Sequence, residues 1–319
     1  MLFLCVNKYK NLIDFYIVFM TLYYLLIQRQ YKMNISITTT SNEAIKYEAI
    51  SFSGGERHIQ MLDLPVCTPT SLKMKAIITS SDDLMNLLLI NNALTNHYGE
   101  QILLNLEIPY MPYARQDRVC AKGQAFSLQL MAELLKTLKL GCLITWDCHS
   151  QAGVDLTGAI NASATDIIKT SKELVSLLTQ PESVLVCPDK GALSRCEDLQ
   201  QQLDIRQMVN CEKRRDPATG KITHTDVLVD DLTGKTAVIT DDICDGGYTF
   251  IKIAEQLKVK NVERVVLYVT HGIFSKGLGV FDGLIDSIFT TNSFPNEQSD
   301  QLKIIDYEHN FNPKTQAKS

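Results

Sequence analysis

Val238-Ile239-Thr240-Asp241-Asp242-Ile243-Cys244-Asp245-Gly246-Gly247-Tyr248-Thr249-Phe250 is the stretch on which the reading of the chain turns. Residues 237–240 are a short apolar run with β-branched members, the pattern of a buried strand. Two adjacent carboxylates, Asp241 and Asp242, follow at its carboxyl end. Asp245, two glycines and a threonine come next, and the spacing of Ile251, Ala254 and Leu257 predicts a helix. Glycine lets a backbone approach a ligand closely. The N–H groups of the turn and of the first helical turn favour an anion at one spot. A 5′-phosphate fits such a cradle, formed by Asp245, Gly246, Gly247, Tyr248 and Thr249. Asp241 and Asp242 cannot hold phosphate, but they can accept hydrogen bonds from sugar hydroxyls or hold hydrated Mg²⁺. The unit suits a sugar phosphate better than a dinucleotide. The plain alternative is an acidic strand-end loop whose glycines only turn the chain.

Working outward, strands and helices alternate. Residues 50–56 give a strand-turn-strand signal, 76–80 a strand, 84–93 an apolar helix and 103–108 a strand. Residues 126–138 form an amphipathic helix with Leu130, Leu134, Leu135 and Leu138 on one side, and 142–146 a strand. A second round has a helix at 172–178, a strand at 184–187, a helix from Leu193, further strand signals around 209 and 226–229, and a strand at 265–270. Such alternation implies parallel sheets with helices on both faces. The expected class is α/β, with two similar domains at 33–164 and 165–319. Ligands then collect at the carboxyl ends of the strands.

The chain has 319 residues, enough for two domains of ordinary size. Hydrophobic content of 45% with 21% charged residues is that of a soluble globular protein. A net charge of −5 without a long basic run argues against nucleic-acid binding. The nine cysteines are odd in number and contain no CxxC pair, so neither a disulfide framework nor a structural zinc site is indicated. A reducing cytoplasm follows. Residues 1–32 are set apart: 12–27 is apolar and aromatic, but a spanning helix needs about 20 apolar residues. Three readings stand for this extension, which are upstream read-through before a true start at Met33, a membrane anchor, and a mobile apolar arm. The first is preferred because composition changes abruptly at Met33.

Other segments carry chemistry. Tyr113-Ala114-Arg115-Gln116-Asp117-Arg118 places two guanidinium groups and an amide between a strand and a helix. Arginine forks match phosphate oxygens and stack on bases. His149 follows Asp147 at a strand end, and Asp189 lies in Cys187-Pro188-Asp189-Lys190-Gly191. Each alone is as consistent with a structural role. Lys213-Arg214-Arg215-Asp216-Pro217 sits in a polar stretch ending at Gly220 and Lys221. It reads either as a solvated basic turn or as a mobile loop whose cations meet charge developing on a transferred phosphate.

Together these segments resemble the ribose-phosphate pyrophosphokinases, or phosphoribosyl pyrophosphate (PRPP) synthetases. Similarity runs from about residue 50 to 290. The glycine unit is similar to the PRPP motif that this family shares with phosphoribosyltransferases; the Arg115 segment is similar to a signature of the synthetases alone. The resemblance implies two phosphoribosyltransferase-like domains, each a mostly parallel sheet flanked by helices. It implies transfer of the diphosphoryl group of MgATP to ribose 5-phosphate, giving PRPP and AMP. By the same resemblance, His149 and Asp189 hold Mg²⁺ and Arg115 and Gln116 position ATP. Asp241 and Asp242 take the ribose hydroxyls or the metal, and Lys213 and Arg215 are catalytic. Phe52 and Glu56, in Phe52-Ser53-Gly54-Gly55-Glu56, resemble a loop that contacts adenine from a neighbouring subunit. The family has an acidic residue where this chain has Gly54. A homo-oligomer built on dimers, commonly a hexamer, is implied. Two other readings remain: a PRPP-using phosphoribosyltransferase, for which one domain suffices, and a noncatalytic regulatory subunit, which would lack the basic loop.

Overall fold

The computed structural model describes residues 34–215 and 222–309, and for 213–215 and 222–225 the backbone alone. The expectations about residues 1–32, Met33, Asp216, Pro217, Gly220 and Lys221 lie outside the described residues. Among the described residues no helix is long and apolar enough to cross a membrane.

The chain begins with β1 (Ile35–Thr39), the hairpin β2 (Tyr47–Ser51) and β3 (Arg57–Met61), then β4 (Ser71–Ala76), α1 (Ser81–Tyr98), β5 (Leu103–Glu107), α2 (Ser127–Lys136), β6 (Leu140–Trp146), α3 (Gln151–Thr157) and β7 (Ile160–Ala162). Its first sheet has the order β1-β4-β5-β6-β7, parallel throughout except for β1 against β4. Next come α4 (Ala164–Ile168), α5 (Lys172–Leu178), β8 (Ser183–Cys187), α6 (Leu193–Leu203), β9 (Met208–Arg215), β10 (Ile222–Val227), β11 (Thr236–Cys244), α7 (Tyr248–Val259), β12 (Arg264–Gly272), β13 (Ser287–Thr291) and β14 (Leu302–Ile305). The second sheet has the order β10-β9-β8-β11-β12-β13-β14, antiparallel only between β9 and β10. The expected class is met: two α/β domains, each a mostly parallel sheet flanked by helices.

The second sheet explains its own sequence. β8, β11 and β12 are apolar almost without interruption because both faces are covered. Side chains alternate across the pleat, so Val184, Val186, Ala237, Ile239, Val265 and Leu267 pack with Phe250, Ile253 and Leu257 of α7. Leu185, Val238, Val266 and Tyr268 face the other way, onto Leu174 and Leu178 of α5 and Cys196 and Leu199 of α6. β11 lies between β8 and β12, which places its carboxyl end at the middle of the domain's ligand edge.

Several expectations are corrected. The strand expected at 76–80 is β4, Ser71–Ala76, in which Leu72, Met74 and Ala76 are buried while Ser71, Lys73 and Lys75 are half-buried. The alternation with two lysines marks the strand, and the apolar residues after it belong to the connection. β11 runs past Thr240 to Cys244, so Asp241 and Asp242 are strand residues, not the loop after it; Asp241 pairs with Val269 and Ile243 with His271. The helix at α2 buries Leu128, Met131, Ala132 and Leu135, whereas Leu130 is exposed. Of the expected leucine stripe, Leu135 and Leu138 are buried and Leu134 is half-buried, and only Leu130 faces outward. β1, α3, β7, α4, β13 and β14 were not expected at all.

After β14 the chain returns to the first sheet. Tyr307 meets Trp146 edge-on at 4.9 Å, and Lys75 lies 4.5 Å over the Trp146 ring while its Nζ donates to the Tyr307 carbonyl at 3.4 Å. Trp146 Nε1 donates to Glu107 Oε1 at 2.7 Å. The two domains therefore share side-chain contacts beneath the edge where their loops meet.

Candidate active site

The site lies where the carboxyl ends of β5 and β6 in the first domain face those of β8, β11 and β12 in the second. A cavity of about 730 Å³ opens there, lined by Asp117, Arg118, His149, Ser150, Asp189, Lys190, Arg195, Glu212, Asp241 and Asp242, among others. That size suits a small-molecule ligand.

Arg195, on the first turns of α6, organises it. Its Nε donates to Asp147 Oδ1 at 2.8 Å, its Nη1 to Asp241 Oδ1 at 3.3 Å, and its Nη2 stands 3.9 Å from Asp242 Oδ2. Asp147 comes from the end of β6, so one guanidinium ties both domains together. Asp147 also accepts from Thr270 Oγ1 of β12 at 2.6 Å. Its φ is +37°, a conformation that non-glycine residues adopt only when their surroundings fix it. Burial disfavours the Arg195 charge, but the three carboxylates outweigh it and hold the guanidinium charged.

His149 crosses the same interface: its Nδ1 meets Asp242 Oδ2 at 2.6 Å. That hydrogen bond raises the imidazole's pKa, against the opposing effect of partial burial. Burial works against ionisation of Asp242, yet the His149 bond and the Arg195 charge hold its carboxyl well below the usual carboxylate range. Its neighbour goes the other way: burial and the Asp242 charge push the Asp241 carboxyl up, against the pull of Arg195. The pair presents one firmly ionised carboxylate and one poised to take a proton, a cation or a sugar hydroxyl. Burial pushes the adjacent Cys148 thiol up to about 11, which removes a thiolate nucleophile from the chemistry available beside His149.

The glycine turn is built as its sequence requires. Gly247 has φ +78°, and a Cβ there would come within 2.6 Å of Phe281 Cζ, so both backbone and space demand glycine. A Cβ on Gly246 would meet nothing nearer than Lys276 Cγ at 3.5 Å, an ordinary contact, so packing alone does not demand glycine there. The first N–H groups of α7 have no intrahelical partners and end at this turn. Asp245 accepts from Ser275 Oγ at 2.6 Å, and its Oδ2 lies 3.4 Å from Arg115 Nη1 of the first domain. Gly247→Ala is expected to destabilise the protein by about 1–3 kcal/mol, from overpacking and the positive φ. Urea unfolding of the variant checks this, and an unchanged midpoint would contradict it.

Not every expected residue enters the cavity. Asp117 and Arg118 line it, while Arg115 stands beside the glycine turn and Gln116 is exposed. Phe52, 54% exposed at the β2–β3 turn, and Glu56 are absent from the lining. Lys213 and Arg215 end β9, whose Cys211 and Glu212 line the cavity; their side chains lie outside the described residues. Arg195, Thr270 and Ser275 were missed by sequence reasoning. An arginine in the polar helix Leu193-Ser194-Arg195-Cys196-Glu197-Asp198 looks like any solvated residue, and only the fold brings carboxylates to it.

Two α/β units meeting at a glycine turn and an acidic strand end define a phosphoribosyltransferase-like protein of two domains. The chain matches a model of the N-terminal domain of ribose phosphate pyrophosphokinase over residues 29–138 and a model of the phosphoribosyl transferase domain over residues 157–309. It is 28% identical to the ribose-phosphate pyrophosphokinase of Pyrococcus furiosus over 253 residues, covering 78% of this chain and 86% of that one. With the ribose-phosphate pyrophosphokinase of Mycoplasmopsis pulmonis it shares 29% identity over 237 residues, 71% of each chain. The crystal structure of phosphoribosylpyrophosphate synthetase from Mycobacterium smegmatis has the same fold, at 22% identity and a TM-score of 0.70 over 83% of this chain and 87% of that one. The chain belongs to the ribose-phosphate pyrophosphokinase family.

Proposed function

We propose that this protein transfers the β,γ-diphosphoryl group of MgATP to the anomeric hydroxyl of ribose 5-phosphate, giving PRPP and AMP. The observation that carries this is the joint ownership of the site: His149 and Asp147 of the first domain bind Asp242 and Arg195 of the second. A phosphoribosyltransferase needs only the second domain, and the first would have no part in its site.

In this proposal the turn Asp245, Gly246, Gly247, Tyr248 and Thr249 cradles the 5-phosphate, and glycine at 246 leaves room for its approach. Asp241 and Asp242 orient the ribose hydroxyls. Arg115 and Gln116 position ATP, and Lys213 and Arg215 meet the transferring group. The residues present fit Mg²⁺. His149 gives Nδ1 to Asp242 and so keeps Nε2 for a ligand, the arrangement common to metal-binding histidines. Asp189 is a hard oxygen donor in a loop fixed by bonds from the Gly191 and Ala192 N–H groups to its Oδ1, at 2.9 and 3.2 Å. When bound, Mg²⁺ neutralises phosphate charge and steadies the polyphosphate. Phe52 and Glu56 reach adenine from a second copy of the chain, which requires a homo-oligomer built on dimers. The division of the domains at 164/165 and a reducing cytoplasmic setting, consistent with the free cysteines among the described residues, belong to the same proposal.

Incubation with ribose 5-phosphate and MgATP is the test. AMP and PRPP in equal amounts are expected; no PRPP from a folded protein would favour a regulatory subunit. Because Gly54 offers no side chain to the base, GTP should be used at a rate within roughly tenfold of ATP. A site lacking a polar contact discriminates weakly. Strict ATP use in a competition assay would count against that contact being lost.

A further inference from the structure

Nothing in the described chain requires the glycine at 246. Gly246 lacks the positive φ of Gly247, and a Cβ there would meet only Lys276 Cγ at 3.5 Å and Ser275 Oγ at 3.9 Å, both ordinary contacts. Alanine would suit both the backbone and the surroundings. The open space is what a closely approaching ligand uses. The side chain that borders it is Lys276, which is exposed and makes no hydrogen bond or ion pair among the described residues. Only the Cδ and Cε methylenes separate its Cγ from the ammonium, so the charge stays near the turn.

The backbone holds Lys276 in this place. It lies in the connection from β12 to β13, which is tied to the close of β11. The Ile273 and Phe274 N–H groups donate to the Cys244 carbonyl at 2.8 and 3.1 Å, and the Ser275 N–H donates to the Asp245 carbonyl at 3.1 Å. The turn's own carboxylate is occupied, with Ser275 Oγ on Asp245 Oδ1 and Arg115 on Oδ2. Neither Lys276 nor the turn belongs to the lining of the acidic cavity, so the lysine does not stand among its carboxylates. Hydrogen bonding along α7 begins with the Ile251 N–H on the Gly247 carbonyl at 3.0 Å, which leaves the N–H groups before it for an anion. A phosphomonoester carries about −1.5 to −2 charge near pH 7, whereas a helix N-terminus offers roughly +0.5. The turn alone leaves most of that charge unmet, and a lysine beside it supplies a full unit.

We propose that Lys276 is the cation of the sugar-phosphate subsite: its ammonium meets the 5-phosphate over Gly246 and makes the site select a phosphomonoester over the free sugar. The amides of the turn fix the phosphate's position, and Lys276 supplies the charge that a neutral hydroxyl at the same carbon would not repay. This deepens the diphosphoryl-transfer proposal and rests on its 5-phosphate cradle.

Calorimetric titration of ribose 5-phosphate into the full chain tests it, with Mg²⁺ and α,β-methylene ATP present so that no transfer occurs. Lys276→Ala should weaken ribose 5-phosphate by roughly tenfold or more, the usual effect of a charged hydrogen bond. Lys276→Arg should restore most of the affinity. Lys260→Ala, at the other end of α7, removes the same charge from the domain and should be silent. In steady-state kinetics of Lys276→Ala, the KM for ribose 5-phosphate should rise by the same factor while kcat and the KM for ATP stay within about threefold, because a contact remote from the anomeric oxygen is the same in ground and transition states. Thermal melts confirm that the variants are folded. A folded Lys276→Ala that binds ribose 5-phosphate within about twofold of wild type overturns the proposal, as does an equal loss in Lys260→Ala or a wild type that binds no ribose 5-phosphate. If wild type makes no PRPP yet binds ribose 5-phosphate through Lys276, the subsite stands and the pyrophosphokinase proposal falls. If it makes PRPP and Lys276→Ala changes nothing, the subsite alone falls.

Discussion

Arg195→Met is expected to destabilise the protein by about 3–5 kcal/mol, the typical result of removing one partner from a buried ion pair. The methionine keeps most of the volume and none of the charge. Asp147 and Asp242, both nearly inaccessible, would lose the guanidinium that justifies their burial. The Asp242 carboxyl is held below its unfolded value in the wild type. A depressed carboxylate stabilises the fold above the unfolded pKa, about 3.9, and loses that contribution as pH falls through the folded value. Removing Arg195 takes part of this contribution away, so the gap between wild type and variant should be fully present at pH 7 and shrink only below the unfolded carboxylate value, about 3.9, as Asp242 takes up its proton. Urea unfolding of both proteins at pH 7 and at about pH 3 measures it. A gap under about 1 kcal/mol at pH 7 would mean that Arg195 behaves as an exposed residue and that the cross-domain network carries no energy. Arg195→Lys should recover only part of the loss, because a single ammonium cannot reproduce a fork reaching three carboxylates.

How far this site could be read in the sequence depends on where each signal resides. The strand and helix around the glycine turn were legible because a strand buried on both faces is apolar throughout, and α7 shows its stripe within four turns. The end of β11 was not: two aspartates look like the close of a strand, and nothing local reveals that they continue its pairing with β12. Gly247 was legible as part of a glycine turn, but not the positive φ or the ring of Phe281 that make glycine necessary there. The Asp147–Arg195–Asp242–His149 network was illegible as a network, because its members come from three segments and each is ordinary alone. Its members at 147 and 149 were noticed for their place at a strand end, whereas Arg195 had no such marker. The hairpin residues Phe52 and Glu56 show the converse. Their resemblance was visible, but the chain does not bring them to its own cavity.

Lys213→Ala is expected to lower kcat by on the order of a hundredfold to a thousandfold while leaving ribose 5-phosphate binding almost unchanged. Lys213 follows Glu212, a cavity-lining residue, and pairs in register with Thr225 on the antiparallel neighbour β10. In the ground state the polyphosphate already faces cations of the site. As the bond to AMP breaks, new negative charge spreads over the transferred group and the departing oxygen. A cation brought to that charge interacts more strongly with the transition state than with bound substrate, so its loss falls on kcat. Removing one such electrostatic group costs about 3–4 kcal/mol, which corresponds to that range of rates. The sugar phosphate meanwhile stays with the turn from Asp245 to Thr249, which the substitution does not touch. A merely solvated lysine would instead be silent within about 0.5 kcal/mol. Steady-state kinetics, with ribose 5-phosphate affinity measured separately by calorimetry, distinguishes the two. A kcat within threefold of wild type would remove the β9–β10 pair from the chemistry and return weight to a regulatory role for this chain.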